Sequence, residues 1–149
     1  MTDDLDAGPE TGDPEGTPYE WYRRAESLLG SGNPDAAAVL LQRLRIHDPG
    51  SSAVLESYAR ALFDSRRYEE AAVAFGDLVD RNPAEDYAHY GLGLSLWRLQ
   101  RFPAARDELA MAAVMRPERA DYAQALAQVK ATLKAREDSG LPLEGPVSQ

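Results

Sequence analysis

The side chains that usually carry catalysis are few in this sequence and are poorly spaced for it. The chain has no cysteine, and its two histidines, His47 and His89, lie far apart in the sequence. Three pairs of adjacent carboxylates fall at the predicted starts of helices, where the helix dipole favours acidic side chains. These pairs are Glu69-Glu70, Glu85-Asp86 and Asp107-Glu108. The sequence also has no glycine-rich phosphate loop, metal-ligand spacing or nucleophile motif, so we predict that the protein is not an enzyme and uses no metal or cofactor.

Aromatic side chains recur at fixed intervals, which favours binding over catalysis. One series, with a constant interval between its members, consists of Leu29, Phe63 and Trp97. Tyr19 and Tyr22 reappear as Tyr87 and Tyr90 after twice that interval. Aromatic side chains bring a large contact area at a low cost in rotamer freedom, so a strip of them suits the apolar side chains of a peptide. An open alternative is that Tyr87, Phe63 and Trp97 pack in the core between neighbouring helix pairs.

Three arginines form another series along the chain. The steps from Arg23 to Arg60 and from Arg60 to Arg98 exceed the aromatic interval by three and four positions, so each step moves about one helical turn along a similar face. Their guanidinium groups would suit the carboxylates of a peptide. The alternative is that these arginines pair with acidic neighbours on their own helices, at roughly a few tenths of a kcal/mol per pair. Glu56 and Asp64 flank Arg60 by four positions, and Glu26 follows Arg23 by three.

A fixed interval between prolines predicts the elements that must position these side chains. Pro49, Pro83 and Pro117 are equally spaced and have the same interval as the aromatic series. A period of roughly 34 residues is typical of stacked helix-turn-helix units. The sequence has no runs of alternating polar and β-branched or aromatic residues that would indicate strands. We therefore predict seven helices between Tyr19 and about Arg136, separated by short turns.

Large and small residues recur in phase with these prolines, and together they resemble the tetratricopeptide repeat. The first unit carries the pattern in Trp21, Ala25, Leu28, Ala37, Leu41 and Pro49. The second carries it in Leu55, Tyr58, Ala59, Leu62, Tyr68, Ala71, Phe75 and Pro83, and the third in Leu92, Gly93, Leu96, Phe102, Ala105, Leu109, Ala112 and Pro117. The chain departs from the family pattern at Arg24, His89 and Arg106. The resemblance covers 102 of the 149 residues.

The resemblance implies an all-α fold, a right-handed α–α superhelix (solenoid) of three helix-turn-helix repeats and a capping helix. The repeats would span residues 18–51, 52–85 and 86–119, and the capping helix 120–137. Ala123, Leu126, Ala127, Val129 and Leu133 would form the inner side of that helix. Members of this family bind protein segments in a concave groove lined by the first helix of each repeat. The groove residues expected here are Tyr19, Tyr22, Arg23, Glu26, Glu56, Arg60, Phe63, Tyr87, Tyr90, Leu94, Trp97 and Arg98.

Some family members hold the C-terminal carboxylates of chaperones with Lys, Asn and Arg side chains in this groove. The corresponding positions here are Tyr22, Glu26, Ser57, Tyr87 and Gly91. No such clamp is present, which predicts a partner of apolar or mixed character.

Most of the net charge of −9 lies at the ends of the chain. Residues 1–17 carry a net −6 and residues 18–137 only −1, so the folded part lacks the basic excess of a nucleic-acid binder. We expect residues 1–17 to form a disordered acidic tail and residues 138–149 a flexible one. The acidic tail either increases solubility or occupies the groove itself. No segment has the apolar length of a membrane span.

The sequence as a whole predicts an adaptor that binds a protein or peptide partner and contacts neither nucleic acid nor a membrane. Two other functions stay open: a small chaperone that holds a secreted or unassembled client, and a regulatory repeat that binds RNA or a ligand. An N-terminus without an apolar stretch favours the cytoplasm, and a monomer is favoured over an oligomer. Arginine outnumbers lysine by 14 to 2, a bias that indicates a bacterial source.

Overall fold

The computed structural model describes residues 13–147, and all regular structure within them is α-helical. The helices pair along the chain and a single helix follows the third pair. Their bounds are α1 Pro18–Gly30, α2 Pro34–His47, α3 Ser52–Asp64, α4 Tyr68–Arg81, α5 Asp86–Arg98, α6 Phe102–Met115 and α7 Ala120–Asp138. This architecture confirms the predicted all-α stack of three helix pairs and a capping helix. None of these helices is both long enough and apolar enough to cross a bilayer.

Capping residues and prolines mark the starts of several helices. The Thr17 hydroxyl accepts a hydrogen bond from the Glu20 backbone N–H at 3.2 Å, and the Glu20 carboxylate accepts one from the Thr17 N–H at 2.9 Å. This reciprocal arrangement satisfies two backbone donors at the start of α1. Ser51 caps α3 through its hydroxyl, which accepts from the Val54 N–H at 3.1 Å. Proline stands in the first turn of α1, α2 and α6, where its missing N–H leaves no hydrogen bond unmade.

The turns inside the three repeats share one backbone conformation that the sequence did not reveal. Gly32, Arg66 and Gln100 occupy the same position in successive repeats, and each has a positive φ, of 82°, 64° and 61°. This left-handed conformation ends the first helix of each pair, and only glycine adopts it without steric cost. Two of the three repeats therefore carry a strained residue at this turn.

The packing of the helices makes one face of the stack concave. Each helix packs against the helices before and after it, and the first helices also contact one another, at α1–α3, α3–α5 and α5–α7. Within the described residues, the second helices α2, α4 and α6 make no such contacts with each other. Because the first helices lie closer together, they form the inner face of the curve.

Small residues allow the helices of each pair to approach closely. Ala25, Ala59 and Gly93 occupy equivalent positions on α1, α3 and α5 and are buried. At Gly93, a β-carbon would lie 2.6 Å from Cγ of Leu109, so even alanine would force the two helices apart. These motif positions are therefore places where the two helices of a pair approach each other closely.

Residues 13–17 pack against the first repeat. The indole N–H of Trp21 donates to the Glu15 carbonyl at 3.0 Å, and His47 Nε2 lies 3.1 Å from a carboxylate oxygen of Asp13. These five residues of the predicted acidic tail therefore belong to the repeat structure. The rest of that tail, residues 1–12, lies outside the described residues.

The chain after α7 folds back onto the stack, in contrast to the flexible tail that we predicted. The Arg136 guanidinium donates to the carbonyls of Pro142 and Gly145 at 3.0 and 2.7 Å, and the Gly145 N–H donates to the Gln100 carbonyl at 2.9 Å. Arg136 is only 9% exposed and lies 4.8 Å from the centre of the Phe102 ring. A guanidinium this buried needs acceptors, and the returning segment supplies two of them.

The inner side of α7 differs in part from the prediction. Val129 and Leu133 are buried as expected, but Ala123 and Ala127 are exposed. Their place is taken by Tyr122, which is completely buried and donates its hydroxyl hydrogen to Asp86 at 2.6 Å. Burial and the carboxylate of Asp86 raise the pKa of Tyr122, so the phenol stays protonated and keeps this hydrogen bond.

Candidate peptide-binding groove

All twelve predicted groove residues lie on the first helices α1, α3 and α5, and the structure brings five of them around one hollow. This hollow lies between α3 and α5 and has a volume of about 60 Å³. The predicted residues that line it are Arg60, Phe63, Tyr87, Tyr90 and Leu94. Asp64, Phe75 and Gly91 complete the lining and were not among the twelve, although Gly91 was recognised as a clamp position.

The floor of the hollow exists because one residue has no side chain. A β-carbon on Gly91 would lie 2.3 Å from the ring of Phe75, which reaches the hollow from α4. Phe75 packs edge-on against Tyr87, with ring centres 6.1 Å apart. An apolar floor thus forms where repeats two and three meet. Nothing in the spacing of the sequence could identify it, because the contact joins residues from different repeats.

Arg60 forms the polar rim of the hollow. It is half-buried, yet among the described residues it makes no hydrogen bond and no ion pair within 4 Å. The alternative that Arg60 pairs directly with Glu56 or Asp64 is therefore wrong. The nearby hydroxyl of Tyr87 likewise has no hydrogen-bond partner in residues 13–147. Burial raises the pKa of Tyr87 above its usual range, so this phenol keeps its proton and can donate it.

A network of hydrogen bonds connects repeats one and two within the groove. Ser57, which is buried, donates its hydroxyl hydrogen to Glu26 at 2.5 Å. The Tyr22 hydroxyl lies 3.3 Å from the same Ser57 oxygen, and because the Ser57 hydrogen is already used, Tyr22 is the donor. These three residues stand at positions of the carboxylate clamp, and here they form hydrogen bonds with one another.

Glu56 adds a second carboxylate near Glu26 and makes this part of the groove acidic. Burial raises its pKa, the carboxylates of Glu85 and Glu26 raise it further, and Arg60 opposes them. A carboxylate with a raised pKa lacks adequate stabilisation of its charge. This end of the groove therefore disfavours additional negative charge.

Two aromatic pairs lie further along the groove and repeat the same geometry. Phe63 packs edge-on against Tyr68, and Trp97 packs edge-on against Phe102, each with ring centres 5.1 Å apart. In each pair the second residue is the first of the following helix, so these rings pack within their own repeat. Phe63 and Trp97 remain half-buried and keep part of their surface in the groove.

The three arginines of the series lie in three different environments. Arg23 does not pair with Glu26 but lies 5.9 Å from the ring centre of Tyr19. Arg98 lies 5.8 Å from the ring centre of Phe63 and donates to the Tyr68 hydroxyl at 3.3 Å, and it thereby connects repeats two and three. Of the three arginines, Arg60 is the one that faces the hollow.

The recurring tyrosines are not equivalent either. Tyr19, near the start of α1, is 68% exposed, whereas Tyr87 is half-buried against α4. The ring of Tyr90 lies 4.6 Å from that of the buried Tyr122. Tyr90 is therefore shared between the groove and the core.

Both histidines hold helices together. His89 is buried, with Nδ1 2.7 Å from a carboxylate oxygen of Glu108 and Nε2 2.7 Å from the Pro83 carbonyl. These contacts link α5 to α6 and to the preceding proline turn. His47 packs edge-on against Trp21 with ring centres 5.0 Å apart. Residues 13–147 contain no cluster of three or more acidic or histidine side chains arranged around a possible metal position.

The repeated helix pairs match a known family. The model of the tetratricopeptide repeat matches residues 22–79 and 59–120. The chain belongs to the tetratricopeptide repeat family. The three departures, Arg24, His89 and Arg106, are thus tolerated within the pattern. No curated protein matches this sequence.

Solved tetratricopeptide repeat structures share the fold at low sequence identity. MamA (residues 41 to the end) from Desulfovibrio magneticus RS-1 is 18% identical, with a TM-score of 0.77 over 85% of this chain and 71% of that one. The first repeat domain of Spaghetti (RPAP3), bound to the HSP90 peptide SRMEEVD, is 16% identical, with a TM-score of 0.74 over 82% and 97%. The second repeat domain of human RPAP3, in complex with the HSP70 peptide SGPTIEEVD, is 16% identical, with a TM-score of 0.69 over 76% and 98%.

Proposed function

We propose that this protein is a non-catalytic adaptor that binds a segment of a partner protein in the groove formed by α1, α3 and α5. One observation carries the proposal: the hollow between α3 and α5 has an apolar floor and a rim of donors that form no hydrogen bonds within residues 13–147. Exposed aromatic surface next to unused donors suits a peptide, which offers side chains and carbonyl groups together. Two structures of the same fold contain bound peptides, which supports this use of the fold.

The partner segment differs in chemistry from those two peptides. Both of them end in Glu-Glu-Val-Asp. In this chain, Glu26 and Glu56 would repel carboxylates in the part of the groove between repeats one and two. The network of Tyr22, Ser57 and Glu26 there contains no cation that could bind them. We therefore propose a partner that is not a chaperone tail. A cytoplasmic location and a monomeric state stay predictions.

A photo-crosslinking experiment tests the use of this groove. A photoreactive phenylalanine analogue replaces Tyr19 or Arg98, which are groove positions with surface open to solvent, in the full chain within its native host. Matched controls carry it at Val73 and Val114, which are 64% and 77% exposed on the second helices. We expect both groove positions to label the same segment of one partner and both controls to leave it unlabelled. Labelling of that partner from the second helices alone would contradict the proposal.

A further inference from the structure

We propose that a basic cleft at the last repeat binds a small, soluble phosphate monoester that has no aromatic ring. The cleft lies between α6, α7 and the segment that returns after α7, and it has a volume of about 310 Å³. Its lining consists of Arg106, Lys130, Leu133, Lys134, Glu137 and Leu143. None of these residues is among the twelve predicted groove residues, so the inference is independent of the proposed function.

Both lysines of the sequence line this cleft. Arginine outnumbers lysine by 14 to 2 in the chain, and the two lysines, Lys130 and Lys134, stand about one helical turn apart on one face of α7. Arg106 adds a third cation from α6. Three cations and one carboxylate, Glu137, give the lining a net charge of +2, whereas the whole chain has a net charge of −9. The cleft therefore attracts anions locally although the chain as a whole repels them.

The protein itself neutralises this positive charge only in part. Lys130 makes no hydrogen bond and no ion pair within the part of the chain that the structure describes. Arg106 contacts Asp107 at 3.3 Å, and this pair is exposed. The pair of Lys134 and Asp138, at 3.2 Å, is exposed as well, and exposed pairs contribute little to stability. Like charges four positions apart on a helix repel each other, so a bound anion would remove an unfavourable interaction.

The kinds of cation select a phosphate group over a carboxylate. The planar fork of arginine suits the two oxygens of a carboxylate, whereas a lysine ammonium is a compact point charge. Two of the three cations here are lysines, and the three terminal oxygens of a phosphate monoester can each accept a hydrogen bond from a different cation. Such a monoester carries a charge of about −1.5 to −2 at pH 7, which matches the charge of the lining.

The rest of the lining determines what the phosphate is attached to. Leu133 and Leu143 supply aliphatic surface, and no aromatic side chain is among the described residues that line the cleft. A nucleotide base would therefore lack the aromatic ring on which bases stack in proteins. The volume of about 310 Å³ is at the lower end of the roughly 300–1,000 Å³ that is typical of small-molecule pockets. A monoester with a short aliphatic skeleton fits this combination of size and lining.

Isothermal titration calorimetry of the full chain with glycerol 3-phosphate, a three-carbon monoester, tests the inference. We expect saturable binding that Lys130→Gln weakens by about tenfold, the loss expected for one hydrogen bond to a charged group. Lys130→Arg keeps the charge and should lose less. Arg24→Gln removes one positive charge from an exposed position on α1, so it is the matched control and should bind as the unaltered chain does.

Three further probes determine the chemistry of the ligand. Inorganic phosphate should bind more weakly because it lacks the aliphatic skeleton, and succinate should bind more weakly because its carboxylates suit lysine less well. Equal affinity for inorganic phosphate would indicate an adventitious ion only, and equal affinity for succinate a general attraction of anions. Vesicles that contain phosphatidic acid carry the same monoester on a membrane and should not sediment the chain. Any of these three contrary results would overturn the inference.

The two lysines also allow the site to be located directly. Isotope labelling of lysine alone gives side-chain signals in a nuclear magnetic resonance spectrum from Lys130 and Lys134 only. We expect glycerol 3-phosphate to shift both signals over the concentration range in which calorimetry detects binding. The inference is wrong if the monoester does not bind, or if it binds and leaves both signals unchanged. Thermal melting of Lys130→Gln, expected to match the unaltered chain, shows that its loss of affinity is local.

Discussion

Single side chains in this groove depend on partners from other repeats. Gly91 leaves room for Phe75, Ser57 connects Tyr22 to Glu26, and Arg60 has no direct partner in the described structure. The sequence placed all of these residues except Phe75 on the inner helices. It did not show which of them satisfy each other, because the hydrogen bonds join residues of different repeats. Arg60 is the clearest case, since two acidic neighbours in sequence predicted a pairing that the structure does not contain.

The raised pKa of Glu56 predicts a pH-dependent effect of one substitution. Glu56→Gln removes a charge that burial and Glu85 destabilise, so it should raise the melting temperature at pH 7. A carboxyl whose folded pKa is raised contributes stability below its unfolded pKa and loses it as the pH rises through the folded value. The advantage of glutamine should therefore disappear near pH 4, where Glu56 is protonated as well. Thermal melts at both pH values measure this, and an equal gain at pH 4 would contradict the electrostatic origin.

At the scale of helices and turns, the repeat pattern predicted the elements well and their end conformations poorly. Prolines, caps and small residues mark the helix starts and the close contacts, and the structure follows them. The positive φ at Gly32, Arg66 and Gln100 recurs with the same period, but glycine marks it only in the first repeat. The turn geometry of the fold imposes this conformation on an arginine and a glutamine.

Two neighbouring glycines provide a test of this turn. Gly32→Ala should lower the free energy of unfolding by about 1 kcal/mol, because an L side chain is strained at φ 82°. Gly30→Ala, at the end of α1, should leave it unchanged or raise it by at most about 0.8 kcal/mol through helix propensity. A β-carbon would meet no atom within 4 Å at either site, so clashes cannot explain a difference. Urea unfolding of both variants gives the two values, and equal effects would refute the role of the backbone.

At the scale of the whole molecule, both ends of the described chain contribute to the stack. Residues 13–17 cover Trp21 at the first repeat, and residues 141–145 hold Arg136 at the last. A deletion meant to test whether the acidic residues occupy the groove should therefore remove only 1–12. Removal of all of 1–17 would also break the cap of α1.

Truncation after Asp138 tests the C-terminal contact. It removes two hydrogen bonds to a charged group together with the segment that covers Arg136, so we expect a loss of about 1–3 kcal/mol in the free energy of unfolding. Truncation after Val147, the control, should have no effect on denaturant unfolding. If the chain ending at Asp138 unfolds at the same denaturant concentration, residues 139–147 do not stabilise the stack.

The sequence by itself determined the period, the helix pairs, the family and the helices on which the groove residues lie. A repeat with small residues and prolines at fixed positions leaves few ways to stack its helices, so local signals were sufficient. Only the tertiary structure decided that the hollow lies between α3 and α5, that Arg60 faces it and that Tyr90 belongs partly to the core. These facts depend on contacts between repeats, where side-chain size and direction, rather than periodicity, determine which residues meet.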